Sequence, residues 1–309
     1  MINMNSTLKI ALLALWVNKM RSFLTMLGII IGVGAVIAML AVGTGASEKI
    51  SQQIASVGSN LIMVVPGSMT SGGIRMGSGS YSTLTINDAE AIERECSAVK
   101  AVAPQVNTAA QVVYGNQNWA TGINGTTPGI LDVKDYTLVA GRNFIDQDIR
   151  SATKVCILGQ TVVDNLFGGI DPLGQIIRIK KVPFTVIGVL EPKGQSIMGQ
   201  DQDDLIYIPV TTAQKKIVAS HVPGMVRSIM VKAKSAEYLE LAEKQVTELL
   251  RQRHRSGPNK EDDFTVRNLS QMMQVAEESA KTMTILLGAI ASISLLIGGI
   301  GIMNIMLVS

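Results

Sequence analysis

Two long stretches without a single charged side chain set the limits on what this chain can fold into. From Ser22 to Ser47 and again from Thr282 to Ser309 no Asp, Glu, Lys or Arg occurs. Phe23 to Val42 alone supplies 20 nearly continuous apolar residues, about 30 Å of helix, the thickness of a bilayer's hydrocarbon core. The second run, Met283 to Val308, is long enough to span with tilt. Both are apolar all round rather than along one stripe, which argues against a helix buried in a soluble core. A cleaved signal peptide is the competing reading of the first run, with Ala46-Ser47 as a weak cleavage site, but the run exceeds the usual 7 to 15 apolar residues of such peptides.

Charge gives these spans a direction. Lys9, Lys19 and Arg21 lie ahead of the first run with no acid beside them, whereas the 24 other basic residues are balanced by all 24 acids. The net charge of +3 therefore sits entirely within residues 1–22 and places the N-terminus in the cytoplasm. Residues 43–282 then lie outside. No basic face marks the remainder, so nucleic-acid binding is set aside. Leu8, Leu12 and Leu15 recur at helical spacing with Trp16 beside them, either as a short amphipathic helix on the inner membrane surface or as a plain cytoplasmic lead-in. Gly28 and Gly32 form a small-xxx-small pair that would let another helix approach closely. The chain stops at Ser309 directly behind the second run, and reads as a piece of a longer protein.

The segment between the spans has two halves with the same grammar. Asn60 to Val65 reads as a strand, AEAIEREC as a helix introduced by a loose Thr85/Asp88 capping box, and Val99 to Val106 as a second strand. Ser228 to Ala233, Ala236 to Arg253 and Asp263 to Arg267 repeat strand, helix, strand, with Leu239, Ala242, Val246, Leu249 and Leu250 on one helical face. Together they predict a split β-α-β-β-α-β domain. The residues between, Tyr114 to Val226, predict an inserted β-rich subdomain with strands at Gln117–Gly122, Val155–Leu158, Ile176–Ile179, Phe184–Leu190 and Leu205–Val210. Gly67 to Ser82, rich in Gly and Ser, predicts a mobile loop.

Signals for catalysis are sparse. No G-x-x-x-x-G-K-[ST] motif and no G-x-S-x-G elbow occurs in the chain. His221 and His254 have no metal-ligand spacing and read as solvated surface histidines. Asp201, Asp203 and Asp204 invite a calcium reading but lack the twelve-residue loop, so a polar loop capping the next strand is preferred. Cys96 and Cys156 are either a disulfide or two buried thiols. Arg251, Arg253, His254 and Arg255 complement a helix C-terminus, with a docking patch for an acidic partner as the alternative. The chain is expected to be non-catalytic, with no cofactor, metal or catalytic residue of its own.

Several stretches in order carry a resemblance. NKMRS running into LTMLGIIIGVGAVIAML, then SNLIMVVPG, LTINDAEAI, VAPQV, VYGNQNWAT, AGRNF, VCILGQ, LFGGIDPLGQIIRI, PFTVIGVLEPKGQSIMGQDQDD and LLIGGIGIMNIMLVS resemble the MacB/FtsX-type ABC transporter permeases, in the MacB-like branch. The resemblance implies a membrane protein whose two transmembrane helices (23–42 and 283–308) flank an extracytoplasmic α+β domain. That domain combines a porter-like part (43–113 and 227–282) with the β-rich insertion (114–226), behind a cytoplasmic helix (1–22). It implies an inner-membrane permease that works as a homodimer or heterodimer, with ATP and Mg bound by a cytoplasmic ABC ATPase. Leu8, Leu12, Leu15 and Trp16 would contact that ATPase. A periplasmic adaptor and an outer-membrane duct are further implied partners. Mechanotransmission for export or efflux is the implied function, without a substrate path through the membrane. The family's cytoplasmic segment and last two spans have no counterpart here. A two-span sensor with the same topology, or a lipoprotein-release or cell-division permease, is the alternative.

Overall fold

A computed structural model describes residues 60–67, 69–71, 74–76, 83–196, 199–218, 224–256 and 262–307, with those at 19–20, 23, 26–27, 30–34, 36–39 and 41–45. The chain divides into two compact units, Gln53–Met272 and the two flanks Met1–Gln52 with Met273–Ser309.

Within Gln53–Met272, four strands make an antiparallel sheet in the order β12-β1-β11-β4: β1 (Leu61–Pro66), β4 (Val99–Tyr114), β11 (Ser228–Ala233) and β12 (Phe264–Asn268). Helix α1 (Ile86–Glu95) connects β1 to β4, and α6 (Leu239–His254) connects β11 to β12. Each connection therefore skips one strand, and the first strand of the other half lies in the gap. Side-chain alternation assigns the faces. Ile62, Val64, Val102, Ile229 and Val231 pack with Ile92 of α1 and with Leu239, Ala242, Val246 and Leu250 of α6. Leu61, Ala101, Ala103 and Met230 point the other way, onto Ile130 and Val133 of the short helix α2 (Ile130–Lys134) and onto Tyr207. Both faces are covered, so all six residues of β11 are buried. Lys232 is tolerated there because its ammonium reaches the Asp132 carbonyl and the Asp135 carboxylate.

The 16-residue strand β4 belongs to two pairings: its first half pairs with β11, its second with β5 (Gln117–Thr126). From β5 the ladder continues to β10 (Leu205–Pro209), β7 (Val155–Leu158) and β9 (Val182–Leu190). β8 (Ile176–Ile179) pairs with both β9 and β4, which closes six strands into a ring. Closure removes free strand edges. The ring holds Val112, Ile123, Cys156, Ile177, Phe184 and Ile206, with Val162, Leu166 and Phe167 of α4 (Gln160–Phe167) against them. Each fully buried apolar side chain of this kind contributes roughly 1.5–3 kcal/mol. β6 (Leu138–Gly141) pairs with the last residues of β9, Gly188 to Leu190, beyond the stretch that β8 occupies.

The expected strands all appear, several of them longer than expected. The β-rich region also contains α2, α3 (Asp146–Arg150), α4 and a helical turn α5 (Val210–Thr212), which the alternation reading does not anticipate: α2, α3 and α5 are too short to show a 3.6-residue period, and α4 shows it only over two turns, in Val162, Val163, Leu166 and Phe167. Part of the Gly/Ser stretch is ordered rather than loop: β2 (Met69–Ser71) and β3 (Ile74–Met76) pair as an antiparallel hairpin.

In the flanking unit, the described residues between 19 and 45 are helical, as is the part of α7 (Leu269–Leu307) from Met273 onward. Gly43 is buried, and a Cβ there would lie 2.7 Å from the Thr284 hydroxyl. Several side chains of these helices lie outside the described residues, and among the described residues no helix is long and apolar enough to cross a membrane.

Candidate functional site

The residues singled out for helix packing and partner contact fall mostly outside the described set. Leu8, Leu12, Leu15, Trp16 and Gly28 are among those not described, and Gly32 is helical and half-buried. The close approach that the structure does describe is at Gly43 against Thr284. No small-xxx-small pattern led to Gly43, because its partner is a threonine more than 200 residues away.

The most organised polar constellation of Gln53–Met272 lies where α1 begins, α6 ends and β12 begins. Thr85 caps α1: its hydroxyl accepts from the Asp88 amide at 3.2 Å, and the Asp88 carboxylate accepts from the Thr85 amide at 3.0 Å. The same carboxylate accepts from Arg253 Nε at 2.7 Å and faces His254 Nε2 at 3.3 Å. The other ring nitrogen, Nδ1, lies 2.9 Å and 3.0 Å from the two Asp263 oxygens. Arg251 meets Asp262 through Nε and Nη2 at 2.7 to 3.1 Å. The Phe264 ring stands edge-on to the imidazole, 5.7 Å between centroids.

His254 is therefore not a solvated surface histidine: its side chain is 9% exposed and wedged between two carboxylates. An imidazolium can donate from both nitrogens, whereas a neutral ring donates from one and turns a lone pair on the other carboxylate. The hydrogen bond to Asp88, assisted by Asp263, raises the imidazole pKa above its ordinary value against the opposing effect of burial. Burial pushes the Asp88 carboxyl up, but the hydrogen bonds from His254, Arg253 and Thr85 win and hold it far below the usual carboxylate range. Arg251, Arg253 and His254 are thus paired with this chain's own acids rather than left open for an acidic partner. Sequence reading separated these groups because Asp88 looked like a cap alone and lies 165 residues from Arg253.

Asp263 is also a backbone junction. Its carbonyl accepts from the Gly67 amide at 2.8 Å and from the Thr83 hydroxyl at 2.9 Å. Gly67 is needed for this approach, since a Cβ would come within 2.8 Å of the Asp262 carbonyl and 2.9 Å of the Phe264 nitrogen. β12 then passes straight into α7, where Asn268 Oδ1 accepts from the Gln271 amide at 3.3 Å.

The acidic stretch behaves as the polar loop. Asp203 accepts from the Lys193 and Gly194 amides at 2.8 and 2.7 Å, Asp201 from the Thr161 hydroxyl at 2.6 Å, and Asp204 from the Trp119 indole at 2.8 Å. Among the described residues no group of three or more His, Cys, Asp or Glu could hold a metal ion. Cys96 and Cys156 are free and buried, and burial pushes the Cys96 thiol up to about 11. His221 lies outside the described residues. A cleft of about 330 Å³ lies between α1 and α3, with Glu90, Glu93 and Asp146 on its walls. Burial, Asp146 and Glu90 raise the Glu93 pKa.

Residues 22–249 match the family described as the MacB-like periplasmic core domain. The macrolide export ATP-binding/permease protein MacB of Syntrophobacter fumaroxidans is 41% identical, over 98% of this chain and 50% of its own length. The MacB protein of Bdellovibrio bacteriovorus is 40% identical, over 94% of this chain and 44% of its own. The chain thus spans about half the length of the curated relatives it matches. The crystal structure of the periplasmic region of MacB from Actinobacillus actinomycetemcomitans superposes with a TM-score of 0.59 at 27% identity, covering 74% of this chain and 98% of that one.

Proposed function

The chain belongs to the MacB-like periplasmic core domain family, and from that premise we propose that it is the permease part of an export-type ABC transporter, seated in the inner membrane with its N-terminus in the cytoplasm. The observation that carries this reading is the match along nearly the whole chain to ATP-binding/permease proteins about twice its length. Residues 23–42 and 283–308 would be the two spans and 43–282 the outer domain, in the porter-like and β-rich parts set out from the sequence. The uncharged runs support this, as do the outward-facing apolar side chains of α7, among them Ile285, Ile290, Ile293, Ile297 and Ile300.

These 309 residues contain no P-loop motif, so ATP and Mg would be bound by a cytoplasmic ABC ATPase, fused or separate, and the permease itself would be non-catalytic. Leu8, Leu12, Leu15 and Trp16 would form its contact, and Gly28 and Gly32 would pack against a neighbouring span. The permease would act as a dimer, with a periplasmic adaptor and an outer-membrane duct completing the route. ATP-driven movement of the spans would reach the outer domain through α7, which is covalently continuous with β12. Cargo would be taken from the periplasm, macrolides being the class named for the relatives.

The test is to purify the full protein in lipid with a candidate ABC ATPase. Stable association and faster ATP hydrolysis than the ATPase alone are expected. A folded, membrane-inserted protein that neither binds nor stimulates any such ATPase overturns the reading.

A further inference from the structure

We propose that the Asp88–His254–Asp263 bridge is a pH-responsive latch on strand β12, closed while His254 is an imidazolium and loosened as the ring loses its proton. β12 is an edge strand, held by its ladder to β1 alone among the described strands. Besides the burial of Phe264 in the core, its beginning is fastened by the side-chain cluster and by the Asp263 carbonyl with its bonds from Gly67 and Thr83.

The groups facing the imidazole come from three elements. α1 contributes Asp88; α6 contributes Arg253, which shares Asp88 with the ring; the approach to β12 contributes Asp263 and the Phe264 ring, while Arg251 and Asp262 beside them pair with each other. Two carboxylates, Asp88 and Asp263, thus meet one guanidinium group, Arg253, and the imidazolium is the second cation that balances them. Deprotonation leaves one negative charge in excess beside a side chain that is only 5% exposed, Asp88.

The sign follows from the two groups. The pKa of His254 is raised in the fold, so its contribution is complete below the ordinary imidazole value of about 6.5 and is lost as pH rises through the raised value. That of Asp88 is depressed, so its contribution is present above the ordinary carboxylate value of about 3.9 and fades only in stronger acid. The latch is therefore firmest in mildly acidic surroundings and loosens towards alkaline ones. Because β12 leads directly into α7, this sets how tightly the root of that helix is tied to the sheet.

Hydrogen exchange of the full protein in lipid nanodiscs tests it, at about pH 5.5 and about pH 8.5 on either side of the ordinary imidazole titration, corrected for intrinsic exchange. Protection of Phe264–Asn268 is expected to fall about tenfold at the higher pH, while the other sheet edge, Leu138–Gly141, stays unchanged. His254→Gln should give low protection at both values. If that variant does not fold, Asp263→Asn removes one of the two acceptors and should move the transition to lower pH. Protection of Phe264–Asn268 that is flat with pH in the native protein overturns the proposal, as does an equal fall in His254→Gln or an unshifted transition in Asp263→Asn.

Discussion

The two units of this protein are both rich in aliphatic side chains and use them in opposite ways. In Gln53–Met272, Ile, Val, Leu and Phe are withdrawn into three clusters, and residues such as Ile92, Ile123, Phe184 and Ile206 have no exposed surface. In the flanks many described apolar residues look outward: Leu296 is 67% exposed and Ile297 66%. Water would oppose such a display at every residue, whereas a hydrocarbon solvent would not. Aliphatic content does not distinguish the units; the two long uncharged runs, 22–47 and 282–309, both within the flanks, do. The globular unit places charges between its apolar runs and closes an edge of its sheet with an ion-pair cluster, which an uncharged segment has no means of building.

Substitutions can break or sharpen this contrast. The largest effect should come from Phe184→Ala inside the closed ring, destabilising the globular unit by about 3–5 kcal/mol in thermal or denaturant unfolding, with no added dependence on pH. Leu296→Arg should cost about 2.5–3.5 kcal/mol of membrane insertion and appear as loss from the membrane fraction. The same change at Ile176, 59% exposed on the globular unit, should stay within about 0.5 kcal/mol. Comparable losses at both positions would erase the distinction. Asp88→Ala should cost about 2 kcal/mol, because it removes an N-cap partner and leaves His254 and Arg253 without their shared acceptor, although Arg253 is one-third exposed. That deficit should be greatest between about pH 4 and pH 6.5, where Asp88 is ionised and His254 charged, and should shrink as pH rises further.

Much of the globular unit was legible because local signals agreed with the fold. Thr85 and Asp88 mark the start of α1 by their spacing, and Ile176–Ile179 and Ser228–Ala233 declare strands by β-branched content. Ring closure was not legible, because Val112 meets Ile179 by a pairing that no local signal encodes. The burial of His254 was hidden for a related reason. A cation in a helix's last turn explains itself by the helix dipole, and nothing near it in sequence announces that Asp88 and Asp263 converge on its two nitrogens. The hairpin of β2 and β3 was missed because Gly and Ser dominate the stretch and mask two three-residue strands.

The proposed topology puts residues 43–282 outside the membrane between two spans. Labelling of intact cells with a membrane-impermeant maleimide tests it directly, and the two native thiols give little background because both are buried. A cysteine placed at exposed Glu240 on α6 should be labelled without permeabilisation, and one placed at Lys19 only after it. Labelling of Glu240→Cys only in permeabilised cells, or of Lys19→Cys in intact ones, would contradict the account.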